Sequence, residues 1–512
     1  MELELKKTSL DAYETGGELT LTQEETAETI VPDYLPDIAR IIETEGRVFL
    51  HSRELRDGKA EVSGTVRVTV LYTPEGEGGI RTLDFSIPFT VESDSRALPG
   101  CQYLGAQTQT EFLETRTLNP RKIFTHCKLV TVLTGYQKST LCVCTDADAE
   151  PALCVEKRQE HQHAVLLTHI AEKDFTYSGE MNLSPGRDGA VELLGNRVSA
   201  AVSEAKIVGS KLIFKGVFHI TVLYRTSSSL CCSSSAELPF SQIMEVEGAA
   251  EDHTADVQIQ LTGTDLQLDS DDDEGRQIAV TLYFHATALL RQEQELTLLG
   301  DLYSTAYDMS YEAVPVSLTG FMETMTRRQT VREVLEIGVE AESVLTVSVC
   351  CGGVQVNREG ENVTLRTGAT VRVLYQDEGG TPLVAERCLD VSCQVELPES
   401  CKVTARAVCT EEVQTGIGDR GIEVRFPVDF CIEAASRTKR VCISSARVDT
   451  DSPRDMTGKP SLVLRCLGKQ ESAWDLAKAC NTTIRDLLAA NQLESEEAIP
   501  REKLLLIPRK RA

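Results

Sequence analysis

Residues 64–72, Gly-Thr-Val-Arg-Val-Thr-Val-Leu-Tyr, decide how the rest of this sequence is interpreted. Valine and tyrosine at every second position alternate with threonine and arginine, which predicts a strand with one buried face. The pattern returns at residues 216–224 and 368–375. The triplet Val-Leu-Tyr begins at Val70, Val222 and Val373, so the spacings are 152 and 151 residues. We interpret this long period as three copies of one whole domain.

Two further markers recur in the same phase. A short segment that contains proline follows each Val-Leu-Tyr strand. Further along, a basic residue stands at the start of another segment in which apolar and polar residues alternate. The prolines are Pro88, Pro239 and Pro398, and the basic residues are Arg121, Arg276 and Arg420. Units of this size can each bury a core, unlike the units of a short-period solenoid. Repeated strands with glycine turns predict a mainly β fold of three sandwich-like units.

We predict unit boundaries at residues 1–160, 161–320 and 321–448. A polar segment with two prolines, residues 449–460, is interpreted as a flexible linker, and residues 461–512 as a separate module. Short helices are predicted at residues 37–43 and 331–337, and residues 186–195 are predicted to form a turn followed by a short helix.

The amino-acid composition limits the kinds of partner that the chain could bind. The chain of 512 residues has 79 acidic and 52 basic side chains, a formal net charge of -27. This charge disfavours nucleic-acid binding and adhesion to anionic lipid. It indicates either solubility or an acidic face for a basic partner, and the composition leaves both open.

The sequence shows neither of the common signals for export or membrane insertion. The N-terminus lacks the apolar core of a signal peptide, and no apolar run is long enough to span a bilayer. We therefore expect a cytoplasmic protein. The 17 cysteines are expected to be free thiols.

The last fifty residues differ in kind from the rest. Ser472 is predicted to cap a helix that contains Trp474, and Thr482 or Thr483 to start a second helix that Asn491 ends. Apolar segments at residues 462–466 and 504–508 read as strands. The predicted order is strand, helix, helix, strand.

This order, with Trp474-Asp-Leu-Ala-Lys478, Asn481-Thr-Thr483 and Leu506-Ile-Pro508, resembles a LysM module. The resemblance implies binding of N-acetylglucosamine-containing glycans between the loop before the first helix and the loop after the second. The implied groove residues are Gln470, Glu471, Ser472, Trp474, Asn491, Gln492 and Leu493. Gln470 stands where many members have glycine, and Trp474 suits the module's core as well as a sugar platform.

Repeated β-rich units ahead of one LysM module resemble the SPOCS-domain proteins of anaerobic spore formers. The residues that carry the resemblance are 31–38 (VPDYLPDI), 64–72 with their later counterparts, Tyr303-Ser-Thr305 and the C-terminal module. The resemblance implies a scaffold in the mother-cell cytosol at the forespore surface. Its LysM module then binds a coat morphogenetic ATPase; the alternative is a LysM protein that binds peptidoglycan or cortex glycan.

No catalytic or cofactor-binding motif is found, so we expect a protein that is not an enzyme. Asp269, Asp271 and Asp273 have calcium-loop spacing, but glutamate occupies the required glycine position, which favours a solvated hairpin turn. His161 and His163 share a strand face and could begin a metal site. No cysteine lies at zinc-finger spacing from them, so coincidence is the favoured interpretation.

Overall fold

The computed structural model describes residues 1–76, 79–94, 96–183, 186, 188–228, 230–269, 272, 274–410, 413–419, 421–455, 460–468, 471–500 and 503–509. The fold is mainly β, as predicted. The strands are β1 (Glu4–Ile30), β2 (Ile38–Arg56), β3 (Lys59–Pro74), β4 (Arg81–Glu92), β5 (Tyr103–Asn119), β6 (Lys122–Asp148), β7 (Val155–Asn182), β8 (Ala190–Val208), β9 (Lys211–Thr226), β10 (Cys231–Glu245), β11 (His253–Leu268), β12 (Gln277–Ser304), β13 (Tyr307–Leu335), β14 (Ala341–Cys351), β15 (Gln355–Glu359), β16 (Asn362–Asp377), β17 (Pro382–Glu396), β18 (Cys401–Val408), β19 (Gln414–Gly418), β20 (Gly421–Pro453), β21 (Leu462–Arg465) and β22 (Leu505–Pro508). The helices are α1 (Ala473–Cys480) and α2 (Ile484–Ala490).

The three Val-Leu-Tyr segments form the middle strands of three separate antiparallel sheets. These strands are β3, between β2 and β4; β9, between β8 and β10; and β16, between β17 on one side and β14 with β15 on the other. The alternating apolar residues and the tyrosines of all three strands are buried, as period two requires.

Glycine begins two of these segments because a phenylalanine ring covers it. Gly64 pairs across the sheet with Phe89, and Gly216 pairs with Phe240. A Cβ atom on Gly64 would lie 2.4 Å from a backbone oxygen and 2.8 Å from the Phe89 ring. Any larger residue at Gly64 would displace the ring from its place in the core.

Each middle sheet packs against a second layer built from two long strands and one or two shorter ones. The second layers are β1-β6-β5, β7-β12-β11 and β13-β20 with β18 and β19; β1 and β7 also meet at the single pair Tyr13 and Leu167. Three apolar cores lie between the sheets, centred on Tyr72, Phe218 and Phe430. Each assembly is thus a two-layer β sandwich.

The three sandwiches meet at a common junction. The leucines of the Val-Leu-Tyr triplets, Leu71, Leu223 and Leu374, lie in one buried cluster with Ile42, Leu194 and Leu345. The last three stand at register irregularities of β2, β8 and β14, opposite the triplets. The irregularities turn these side chains to the outer face of each sheet, so both rows contribute to the junction.

Arg197 crosses this junction. Its guanidinium donates to Glu45 at 3.1 Å and to the backbone oxygen of Val347 at 3.1 Å, and lies 3.5 Å from Glu43. Burial raises the pKa of Glu43, against the opposing charge of Arg197. Burial also opposes ionisation of Glu45, but Arg197 and Arg47 outweigh it and lower its pKa. One guanidinium therefore links all three sandwiches.

A second shared core lies where the long strands extend beyond their own sandwiches. It combines residues of β1, β6, β7, β12, β13 and β20, including Leu298, Leu318 and Ile443. The three sandwiches and this core form one body, which we call the trunk (residues 1–455).

Several sequence predictions are wrong at the level of elements. Residues 38–43, 190–195 and 331–335 lie in β2, β8 and β13 instead of short helices. The boundaries predicted at 160/161 and 320/321 fall inside β7 and β13, and residues 449–453 belong to β20 instead of a linker. Pro88 and Pro239 lie in edge strands, where proline is tolerated, but Pro398 follows β17. Arg420 lies outside the described residues.

Candidate interaction site on the C-terminal module

The C-terminal module folds through local capping. Ser472 Oγ accepts a hydrogen bond from the Asp475 backbone N–H at 3.2 Å, and the Asp475 carboxylate accepts one from the Ser472 N–H at 2.9 Å. This capping box starts α1, and Asn481 ends it in the left-handed conformation, with φ of 52°. Thr483 Oγ1 accepts a hydrogen bond from the Asp486 backbone N–H at 3.0 Å and so caps α2. Asn491 follows the last residue of α2, and Gln492 takes the left-handed conformation, with φ of 56°.

The predicted groove residues are engaged in the module's own structure. The Glu471 carboxylate accepts from Arg465 at 2.8 Å and from the backbone N–H of Gly468 at 3.0 Å. The Asn491 amide donates to the carbonyls of Leu487 at 2.8 Å and Leu506 at 2.7 Å, and accepts from the Leu506 N–H at 2.8 Å. Leu493 packs on the module's core. Gln470 lies outside the described residues.

Trp474 faces the trunk instead of an open groove. Its side chain is only 4% exposed and its ring meets that of Tyr303 edge to face, with centroids 4.9 Å apart. The indole Nε1–H donates to Asp301 Oδ2 at 2.7 Å. The Tyr303 hydroxyl donates to the backbone oxygen of Thr482 at 2.7 Å. The module is therefore docked on the end of β12.

Lys478 completes the docking contact. Its ammonium donates to both Asp301 oxygens, at 2.6 and 2.9 Å, and to the Tyr311 hydroxyl at 3.2 Å. Burial opposes ionisation of Asp301, but the Lys478 and Trp474 donors outweigh it and lower the pKa of Asp301. Burial likewise opposes the charge on Lys478, but its bond to Asp301 raises the pKa of the amine. Both groups are thus charged at neutral pH.

The chain before the module is also tied to the trunk. The Arg454 backbone N–H donates to Ala306 O at 2.9 Å, and its guanidinium donates to Tyr307 O at 3.0 Å and pairs with Asp308 at 3.1 Å. Of the predicted flexible linker, residues 456–459 lie outside the described residues. The expected free tether is corrected to a docked module.

Sequence reasoning missed Asp301, Tyr311 and Lys478 as parts of this contact. One signal was present, since a buried indole N–H needs a hydrogen-bond acceptor. The acceptor, Asp301, lies more than 170 positions before Trp474 and Lys478 in the chain, and nothing in the sequence indicates that it contacts them.

Two other candidate sites have structural partners. Asp269 to Gly275 join β11 to β12, and Asp272 accepts from the backbone N–H groups of Arg276 at 2.5 Å and Gln277 at 2.7 Å. These bonds lower the pKa of Asp272. Asp271 and Asp273 lie outside the described residues.

His161 and His163 lie on one face of β7 but contact different groups. His161 is 3.2 Å from the Thr297 hydroxyl, and His163 is 3.2 Å from the carbonyl of Gly320. Among the residues that the structure describes, no three possible metal ligands form a group.

Comparison with known families finds a match for two segments of the chain. The family described as "SipL, SPOCS domain" matches residues 37–106 and 191–269. These segments cover β2–β4 with the start of β5, and β8–β11, which are the same strands of the first two sandwiches. A comparison with curated proteins gave no match. Within the described part of the chain, no helix has the length and apolar character needed to cross a membrane. These two matches support a SipL-like SPOCS-domain protein with a sporulation-related function.

Proposed function

We propose that this protein is a non-enzymatic scaffold of spore-envelope assembly, in the mother-cell cytosol at the forespore surface. Its C-terminal LysM-like module binds a coat morphogenetic ATPase. One observation carries the choice of a protein over a glycan: the side chains that would hold a sugar are already engaged. Trp474 is buried against Tyr303, and Asn491 makes three hydrogen bonds within the module.

The module instead exposes leucine side chains to solvent. Leu462, Leu464, Leu504 and Leu506 are between 37% and 64% exposed. Leu464 pairs with Leu506 across β21 and β22, and alternation places the four leucines on the side opposite the buried Ile507. A flat apolar face suits a protein surface better than a hydroxyl-rich sugar.

We also propose that the trunk is three copies of one SPOCS-like domain. The first two matched segments contain corresponding strands, and the third sandwich has the same strand order with β14 and β15 together in the place of one strand. Packing of all three around one junction would hold partner-binding surfaces at fixed distances. Such geometry allows several weak contacts to act together on a shell.

A binding measurement with the purified ATPase tests this function. We expect Leu464→Asp in the full chain to weaken binding by at least about tenfold, because an exposed leucine of the contact becomes charged. Leu230→Asp is the matched control, since Leu230 is 55% exposed on the trunk. Equal affinity of the two variants would reject the leucine face. Unchanged recovery of the ATPase from sporulating cells after deletion of residues 462–512 would reject the module altogether.

The glycan alternative has its own test. Trp474 is the only tryptophan of the chain, so its emission reports on the module in the intact protein. Titration with chitooligosaccharide should leave this emission unchanged up to millimolar concentration. Saturable binding at micromolar concentration would favour the glycan alternative over a protein partner.

A further inference from the structure

The proposed function leaves residues 31–38 unexplained, although they form one of the most distinctive segments of the sequence. They connect β1 to β2 at the end of the first sandwich, far along β1 from the shared core. We call this segment the 31–38 loop. Two of its eight residues are prolines, Pro32 and Pro36, which restrict the backbone before any tertiary contact forms.

The guanidinium of Arg121 donates hydrogen bonds to four groups of the 31–38 loop. It donates to the carbonyls of Val31 at 2.8 Å and Leu35 at 2.7 Å, and to the carboxylates of Asp37 at 2.9 Å and Asp33 at 3.3 Å. Four bonds from one planar group to both arms of a loop fix its shape.

Backbone and tyrosine contacts add to this clamp. The Val31 N–H donates to Arg121 O, and the Ile38 N–H donates to Pro120 O, each at 2.9 Å. The hydroxyl of Tyr72, the tyrosine of the first Val-Leu-Tyr triplet, donates to Pro36 O at 3.1 Å. The loop is thus anchored to the core strand β3 and to the turn between β5 and β6.

This ordered loop presents an aromatic side chain to solvent. Tyr34 is 83% exposed, whereas Tyr72, Tyr224 and Tyr303 are almost completely buried. None of the bonds described above involves the Tyr34 side chain, so the stability of the loop does not account for the choice of tyrosine. Tyrosine offers a large contact area and loses little side-chain entropy on binding.

The surroundings of Tyr34 are acidic. The side chain of Asp33 is fully exposed and that of Asp37 is 45% exposed. The nearby Glu75 is exposed as well, and its N–H donates to Asp37 O at 2.8 Å. The single positive charge of Arg121 does not balance these three carboxylates. A partner with basic side chains is favoured at this surface.

We propose that the 31–38 loop is a second protein-recognition site, separate from the C-terminal module. Tyr34 inserts into an apolar pocket of the partner, and lysine or arginine side chains on the rim of that pocket face Asp33, Asp37 and Glu75. Because Arg121 and the two prolines fix the loop in advance, little entropy is lost when Tyr34 binds.

Photo-crosslinking in sporulating cells tests the site with the full chain. A photo-crosslinking phenylalanine analogue replaces Tyr34, and in the matched control the same analogue replaces Ile243, which is 48% exposed on β10 of the second sandwich. We expect one discrete adduct at position 34, several-fold above the control. Its crosslinked peptide should lie beside lysine or arginine. Absence of an adduct above the control overturns the proposal.

The crosslinked protein is then purified and titrated against variants of the full chain. Tyr34→Ala should weaken binding about tenfold or more, and raising the salt concentration should weaken the unsubstituted complex. Arg121→Met should weaken binding with Tyr34 still present and speed hydrogen exchange of the loop amides. Both variants should keep the emission of Trp474, which shows that the trunk and module remain folded. Binding that ignores Tyr34→Ala or salt overturns the proposal.

Discussion

At the scale of single residues, Arg197 has the largest structural role at the junction of the sandwiches. It contacts Glu43 and Glu45 of the first sandwich and Val347 of the third, while its own strand β8 belongs to the second. Glu43 is only 6% exposed. Removing the guanidinium of a buried ion pair lowers the free energy of unfolding, because the carboxylates remain in a place where water cannot replace the lost partner.

We therefore predict that Arg197→Met destabilises the protein by about 3 kcal/mol. The buried Glu43 loses the nearer of its two guanidinium partners and keeps only Arg372 at 3.8 Å, and Glu45 keeps only Arg47 at 3.6 Å. The measurement is the midpoint of urea or thermal unfolding. Arg56→Met is the matched control, since Arg56 also pairs with a carboxylate, Glu54, at 2.6 Å but is 81% exposed. The control should change stability by less than about 0.5 kcal/mol. Equal losses in both variants would contradict the role of Arg197.

At the scale of elements, helix α1 connects the module to the trunk through Trp474 and Lys478. We predict that Asp301→Asn weakens this docking by about 2 kcal/mol, because Lys478 loses its charged partner and one strong acceptor is exchanged for a neutral one. The emission of Trp474 should shift to longer wavelength as the ring reaches water. Lys157→Met, which removes a partner of Asp146 elsewhere on the trunk, should leave the emission unchanged. An unshifted Asp301→Asn spectrum would show that the apolar contact with Tyr303 alone suffices.

The same contact predicts a dependence on pH. The pKa of Asp301 is held below its ordinary value of 3.8, so ionised Asp301 stabilises the docked state. This contribution is complete above the ordinary pKa and is lost as the pH falls through the lowered pKa. Trp474 emission should stay constant from pH 7 to about 4 and shift to the red below that. The transition should be missing in Asp301→Asn, and its presence there would assign it to another group.

At the scale of the whole molecule, the leucines of the Val-Leu-Tyr triplets couple the three sandwiches. We predict that Leu374→Ala costs about 3 kcal/mol, because it opens a cavity at a site that is only 1% exposed. The loss should also divide one calorimetric unfolding transition into separate transitions, since the sandwiches share this cluster. Leu230→Ala, at an exposed turn, should preserve a single transition. A single transition in Leu374→Ala would mean that the second shared core is sufficient for coupling.

Particular residues show how far the sequence predicted the fold. The alternation at residues 64–72 and its two counterparts predicted buried strands, and these strands are the middle members of their sheets. The short segments at residues 331–337 and 186–195 were misread as helices, because seven to ten residues carry too little periodicity to separate helix from strand. The predicted boundaries lie inside or at the end of long strands, because β7, β13 and β20 run for 28, 29 and 33 residues, through the points where the sequence changes in composition.

In the C-terminal module, too, some features could be predicted from the sequence and others could not. Ser472, and either Thr482 or Thr483, were expected to begin the two helices. Ser472 and Thr483 are the N-caps, because capping depends on neighbours in the sequence. The partner of Trp474 could not be predicted, since Asp301 is 173 residues away in the chain. The contact with the trunk buries the Trp474 ring, which therefore offers no open face to a sugar.

The sequence by itself determined that the three Val-Leu-Tyr segments are strands, which of their residues face a core, and where the two helices of the C-terminal module begin. These features depend on alternation and on hydrogen bonds over a few residues. Only the tertiary structure decided that Leu71, Leu223 and Leu374 meet at one junction, that Arg197 links three sandwiches, and that Trp474 faces the trunk. Contacts between distant residues form when preformed sheets and helices bury their remaining apolar and charged surface together, and no local pattern records which surfaces will meet.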